Sequence, residues 1–204
     1  SGSPFSWRVL LALEYKRVPY ESRLLQFAKQ EHKSPPMLRM NPRGRVPVLR
    51  DGDYVVFESL ACLVYLDRKY PDPPLFGRTA EDAGTILRVI GEFQAYAEPS
   101  LNLIIQAAFL GNIEERAEEI TRAMHVVGGE ARTIEGRLST SDWLVGAEPS
   151  AADLVVLWLD PDSPAVDFAV FANCPAEDQR GVARVDVPGV GSSVCDGGAY
   201  ELEL

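Results

Sequence analysis

A few side chains stand where their type and spacing could do chemistry on a small charged molecule. Ser3 lies directly before Pro4, a residue suited to the first turn of a helix. Its hydroxyl and the unpaired N–H groups behind it can therefore stabilise an anion, as helix N-termini do for low-pKa cysteines. Ser59 precedes Leu60, Leu63, Val64 and Leu66 at helical spacing and is placed to begin a second helix. A hydroxyl on such N–H groups favours a carboxylate, and the adjacent Glu58 can attract an ammonium. The same pair would also serve as an ordinary helix cap beside a solvated acid. Lys33 and Arg45, taken by themselves, can be simply solvated charges. Ser150-Ala-Ala-Asp153 is a capping-box variant, read as structural, with the Ser150 hydroxyl facing the Asp153 amide. Cys62, Cys174 and Cys195 lie far apart with no CxxC, and His32 and His125 add little to them. No metal site and no disulfide scaffold is expected. Cys62 reads as a core thiol and His32 as a surface histidine.

These residues need elements to position them. Pro4 begins a helix with Trp7, Leu10, Leu11 and Tyr15 at three- and four-residue spacing, and Lys16-Arg17 suit its C-terminal end. An extended segment follows from Val18 to about Leu25, then a short helix from Lys33 to Met40 closed by Asn41-Pro42. The runs Arg45 to Arg50 and Tyr54 to Phe57 flank Asp51-Gly52-Asp53, the signature of an antiparallel hairpin. The Ser59 helix must stop before Pro71, and the breaker-rich stretch from Tyr70 to Gly77 reads as a linker. Beyond it, 79–110 predicts one long helix bent near Pro99, and Glu114 to Leu138 a second with an acidic outer face. A last helix starts at Ser150, carrying Leu154 to Leu159 into the core. From Pro161 onward nine of 44 residues are Gly or Pro and no Lys occurs, so 161–204 receives no assignment.

Composition bounds the function. The 204 residues are 46% hydrophobic and 25% charged, as in an ordinary soluble globular protein. A net charge of -10 argues against nucleic-acid binding by phosphate neutralisation. The short apolar runs predict neither a membrane span nor a secretory signal, which makes the cytoplasm the expected compartment. Charge divides unevenly: residues 1–78 carry 13 basic and 8 acidic side chains, whereas 79–204 carry 7 and 22. That change of sign suggests two units, the first suited to a small anionic ligand.

Four segments in order, SPFSWRVLLAL, NPRGRVPVL, ESLACLVYL and DWLVGAEPSAADLVV, resemble the cytosolic glutathione S-transferases. The likeness runs from Ser3 to about Asp160, and SPFSWRV is most similar to the serine-type zeta and tau classes and to the omega class. The resemblance implies an α/β thioredoxin-like N-terminal domain over 1–70, a linker at 71–78 and an all-α helical substrate domain over 79–160. It implies that Ser3 stabilises the glutathione thiolate and that the residue before a cis-proline, here Val46 before Pro47, pairs its backbone with the cysteinyl part. Glu58 and Ser59 would hold the γ-glutamyl end, Lys33 or Arg45 the glycyl carboxylate, and Ser150 with Asp153 the family's capping box. The expected activity is metal-free conjugation of glutathione to a small hydrophobic electrophile, a detoxification chemistry, by a homodimer. Isomerisation, as in zeta-type members, is a variant of the same thiol chemistry.

Two other readings follow from the same residues. A non-catalytic module of this family, serving assembly or interaction, would use Glu58 and Ser59 only as a cap. A thiol oxidoreductase is disfavoured by serine at positions 3 and 6. The family's sheet also begins with a central strand ahead of the catalytic residue, where only Ser1-Gly2 stand here. Either the chain is a fragment, or the sheet is missing a middle strand whose lost backbone pairing must be compensated.

Overall fold

The computed structural model describes residues 3–156 and 199–203. They divide into two compact units, one of residues 3–73 with 199–203, the other of residues 74–156. The expected core positions Leu157 to Leu159, and Cys174 and Cys195, lie outside the described residues.

The first unit opens with α1 (Pro4–Tyr15), whose spacing buries Val9, Leu10, Ala12 and Leu13. Strand β1 (Glu21–Leu25) follows, then two 3-10 turns, Phe27–Lys29 and Glu31–Lys33, and the short helix α2 (Pro35–Met40). Lys33 thus ends a 3-10 turn and does not open α2 as the sequence suggested, because Pro35 and Pro36 are tolerated only in a helix's first turn. Strands β2 (Val48–Asp51) and β3 (Tyr54–Phe57) form the expected antiparallel hairpin, with Gly52 at φ +59 in its turn. Helix α3 (Ser59–Lys69) follows the hairpin and packs on α1. Leu63 and Leu66 of α3 are buried, and Leu25, Met37 and Val48 gather with the partly buried Val55 and Phe57 into a cluster.

The fully buried Lys16 side chain ties the far ends of these helices together. Its ammonium donates to Asp67 Oδ1 at 3.0 Å and to the carbonyls of Tyr70 and Pro73 at 2.7 and 2.6 Å. A charge this deep is tolerable because all three partners are oxygens arranged around it.

Among the described residues the sheet has four strands, and the slot for a middle strand is filled. Strand β4 (Ala199–Glu203) lies between β1 and β2, giving the order β1-β4-β2-β3. It runs antiparallel to β1, with Glu21 opposite Glu203 and Leu25 opposite Ala199, and parallel to β2 over Val48 to Arg50. Part of the unassigned 161–204 segment is therefore a central strand.

The described part of the second unit is helical: α4 (Ala80–Glu92), α5 (Glu98–Leu110), α6 (Ala117–Leu138) and α7 (Ala151–Val156). The single bent helix expected over 79–110 is two helices joined by a π-helical turn, Phe93–Ala97, ahead of Pro99. Proline lacks the N–H that a continuing ladder needs, so α5 restarts with Pro99 in its first turn. Ile86, Val89, Ile90, Phe93, Ala97, Ala107, Ile120, Ala151 and Val155 are buried. Among the described residues no helix is long and apolar enough to cross a membrane.

Candidate active site

Ser3 is the N-cap of α1. Its Oγ accepts the Ser6 N–H at 3.4 Å, its carbonyl accepts the N–H groups of Ser6 and Trp7, and the residue is only 9% exposed. A hydroxyl that accepts one hydrogen bond also carries a hydrogen to donate. The first turn of α1 holds no acidic side chain, so no carboxylate of its own offsets the positive end of the helix.

Helix α3 is also free of acid in its first turn, but its cap is unusual. Glu58, not Ser59, occupies the N-cap position, at φ +69 and ψ 116, and its side chain makes no capping bond. A non-glycine residue held there is strained by about 1–3 kcal/mol, a condition that clusters at functional sites. Ser59 is the first helical residue and is buried, so the reading of Ser59 as an ordinary helix cap is corrected. Its Oγ instead accepts from an Arg8 guanidinium nitrogen at 3.4 Å. Arg8 is 1% exposed and lies against Phe5, with 4.8 Å between its Cζ and the ring centre.

The hairpin register brings the second pair of predicted residues to this place. Val48 at the start of β2 faces Phe57 at the end of β3, so Val46-Pro47 and Glu58-Ser59 extend from the same end of the hairpin. The Val46–Pro47 peptide bond is cis, as the resemblance implies, and so is Asp72–Pro73. Lys33 and Arg45 flank the adjoining loop. Lys33 Nζ donates to the Arg43 carbonyl at 2.8 Å, while the exposed Arg45 offers its carbonyl to Asn41 Nδ2, also at 2.8 Å. Asn41 is 2% exposed and also accepts the Arg43 N–H at 3.1 Å, so one buried amide shapes the loop before the cis-proline.

Two other candidates are settled by burial. The Cys62 thiol is pushed up to about 12 by burial and then by the charge of Glu58, so it stays protonated and is no nucleophile. His32 is a half-buried surface histidine, with its ring edge-on to Phe27 at 4.5 Å. Burial, then the neighbouring Lys33 charge, lowers its pKa and favours the neutral ring.

Ser150 and Asp153 stand in the other unit and act on structure. The Ser150 Oγ accepts the Ala152 N–H at 3.2 Å and donates to Asp153 Oδ2 at 2.8 Å, and that oxygen also accepts the Ser150 N–H. The expected bond to the Asp153 amide is thus replaced by one to Ala152. Asp153 Oδ1 accepts the Leu144 N–H at 2.8 Å, which pins the preceding loop to α7.

Comparison with known proteins is decisive at this point. A family model described as "Glutathione S-transferase, N-terminal domain" matches residues 2–69. Glutathione S-transferase F9 of Arabidopsis thaliana is 36% identical over 168 residues, covering 80% of this chain and 75% of its own. The chain belongs to the glutathione S-transferase family.

Solved glutathione S-transferases share the fold. That of glutathione transferase F2 from Populus trichocarpa superposes with a TM-score of 0.70 at 29% identity, covering 83% of this chain and 84% of that one. Glutathione S-transferase-I, solved with the ligand lactoylglutathione, superposes at 0.66 with 29% identity, covering 81% and 82%. The α/β unit is the family's thioredoxin-like domain and the helical unit its all-α domain.

Sequence reasoning missed Arg8, Asn41 and Lys16. Arg8 lies among the buried Val9, Leu10 and Ala12, and a cation within an apolar helical run was the available signal. In the sequence Asn41 signals only the end of a helix.

Proposed function

We propose that the protein is a glutathione transferase that binds glutathione on its α/β unit and joins the sulfur to a small hydrophobic electrophile. The observation that carries this reading is the state of Ser59. Its hydroxyl is not spent on capping α3, lies at a helix start whose first turn carries no acid beyond the N-cap Glu58, and is backed by the buried Arg8. Such a site favours the α-carboxylate of a γ-glutamyl group, with Glu58 to meet the ammonium. The backbone of Val46 pairs with the cysteinyl part, and Lys33 or Arg45 meets the glycyl carboxylate.

The cysteinyl sulfur then lies at the start of α1, where the Ser3 hydroxyl and the helix N–H groups stabilise its thiolate. The thiolate attacks an electrophilic carbon, forming a C–S bond while the leaving group departs with the displaced electron pair, or a proton completes an addition. The chain's residues supply positioning and charge stabilisation, and no step in this scheme calls on a metal. A cytoplasmic homodimer with a role in detoxification accords with this chemistry.

The test is thermal unfolding with and without millimolar glutathione, on the parent and on Ser59→Ala, beside product formation from an activated aryl halide. A ligand that binds only the folded state raises the melting temperature by mass action. A shift in the parent, its loss in Ser59→Ala and a thioether product support the reading. A shift without product with any of several electrophiles favours the interaction module, and no shift overturns the glutathione site.

A further inference from the structure

We propose that Ser6 is a positioning residue for the bound sulfur: its buried hydroxyl donates to Ser3 Oγ in the complex and thereby turns the Ser3 hydrogen onto the thiolate. The inference rests on the glutathione reading above and deepens it. Ser6 is 0% exposed, and its Oγ has no hydrogen-bond partner among the described residues. Val9, Leu10 and Leu13 are buried on the same face of α1, three, four and seven positions further on. A buried hydroxyl without a partner lowers stability, and alanine in its place would remove that loss without opening a cavity. An orphan donor of this kind needs a reason beyond the folded chain's own bonds.

The placement suits Ser3. Ser6 is the third residue of α1, and its N–H already donates to Ser3 Oγ at 3.4 Å. The two serines stand at the i, i+3 spacing that couples paired cysteines in Cys-X-X-Cys motifs, so rotation about one side-chain bond carries the Ser6 hydroxyl to Ser3 Oγ. A hydroxyl oxygen accepts two hydrogen bonds and donates one. In the complex the N–H and O–H of Ser6 occupy the acceptor side of Ser3 Oγ, which leaves the Ser3 hydrogen for the sulfur. Consecutive hydrogen bonds polarise one another, most strongly where water is excluded, and Ser3 is itself buried. The sulfur touches Ser3 alone, and Ser6 acts through it. The charged groups by which α1 meets α3 are Arg8 on Ser59 and Lys16 on Asp67, with Glu58 at the head of α3. All of them stay in place in the variants below.

The probe is glutathione on the full chain, read by thiolate absorbance against pH, by calorimetric titration and by melting temperature. The proteins are the parent, Ser6→Ala, Ser3→Ala and the double variant. Ser6→Ala melts no lower than the parent, since it deletes only an unpaired buried hydroxyl. Its bound thiol nevertheless ionises about threefold less readily, while affinity measured in acid, where the bound thiol is protonated, stays within about twofold. Turnover of an activated aryl halide at saturating glutathione falls by the same factor on the acid side of the pH profile and recovers on the alkaline side. The double variant titrates as Ser3→Ala does, because Ser6 has no route to the sulfur except through Ser3.

A Ser6→Ala variant whose bound thiol titrates like the parent's overturns the proposal and leaves Ser3 and the glutathione site standing. A double variant that ionises glutathione less readily than Ser3→Ala overturns it as well, since Ser6 would then act without Ser3. So does a Ser6→Ala variant that melts well below the parent or fails to fold, because the hydroxyl would then already be bonded within the folded chain. A parent that binds no glutathione removes both this inference and the reading beneath it.

Discussion

The Lys33 ammonium donates to the Arg43 carbonyl at 2.8 Å, and the chain passes beneath it through Gly44 at φ +56. A Cβ built on Gly44 would lie 2.7 Å from Lys33 Cδ and 2.8 Å from the His32 carbonyl oxygen. The lysine can swing away, but the backbone oxygen cannot. Gly44→Ala is therefore expected to lower the melting temperature and also to weaken glutathione severalfold, by displacing Lys33 from the loop ahead of Val46. Titration calorimetry beside a melt checks this, and an unchanged affinity would remove Lys33 from the site.

Glu58 couples stability to function in the opposite sense. Its φ of +69 costs a side-chain-bearing residue what glycine avoids. Glu58→Gly should relieve strain of about 1 kcal/mol, partly offset by the greater freedom of glycine in the unfolded chain. The variant is expected to melt no lower than the parent and, on the proposed role of Glu58 toward the γ-glutamyl ammonium, to bind glutathione more weakly. A variant that melts lower and binds normally would contradict both roles.

The middle strand can be tested by removal. Strand β4 pairs with five residues of β1 and three of β2, so deleting residues 199–204 would strand both neighbours' hydrogen-bonding groups at the centre of the sheet. Loss of cooperative melting and of glutathione binding is expected. Parent-like melting of the deletion variant would show that the sheet does not need this strand.

Thr79 and Asp82 form a full capping box at the start of α4, where Thr79 Oγ1 accepts the Asp82 N–H at 3.0 Å. Asp82 Oδ2 in turn accepts the N–H groups of Thr79 and Arg78 at 3.1 and 3.2 Å. The hydrogen bond to Thr79 first, then those from the backbone, holds this carboxyl below its ordinary value. With the folded pKa depressed, the unfolded chain binds the proton more readily. The stabilisation is therefore present above the ordinary carboxylate pKa near 4 and lost as pH falls through the lower folded value. The gap in melting temperature between the parent and Asp82→Asn should be clear at pH 7 and close in acid. A gap that persists below about pH 2 would contradict the linkage.

What the sequence revealed was local. Ser3 before Pro4, the hairpin around Gly52 and the start of α3 at Ser59 are each signalled by neighbours within a few residues. What stayed hidden was long-range. Arg8 finds Ser59, and Lys16 finds Asp67, 51 residues further on in each case. Residues 199–203 become a central strand only because β1 and β2 provide its partners on both sides. A five-residue strand in a Gly- and Pro-rich stretch has no period of its own strong enough to announce it. The capping role of Ser59 failed for a related reason, since the strained Glu58 backbone shifts the cap one residue earlier and nothing in Glu58-Ser59 encodes that conformation.

Whether Ser3 lowers the pKa of a bound glutathione thiol is read directly from the thiolate absorbance of the complex as a function of pH. Bound glutathione is expected to be substantially ionised at pH 7 on the parent. On Ser3→Ala its titration should move back toward the free thiol, with kcat/KM falling tenfold or more and affinity nearly unchanged. The same titration on parent and Ser3→Ala, at equal saturation, would contradict it.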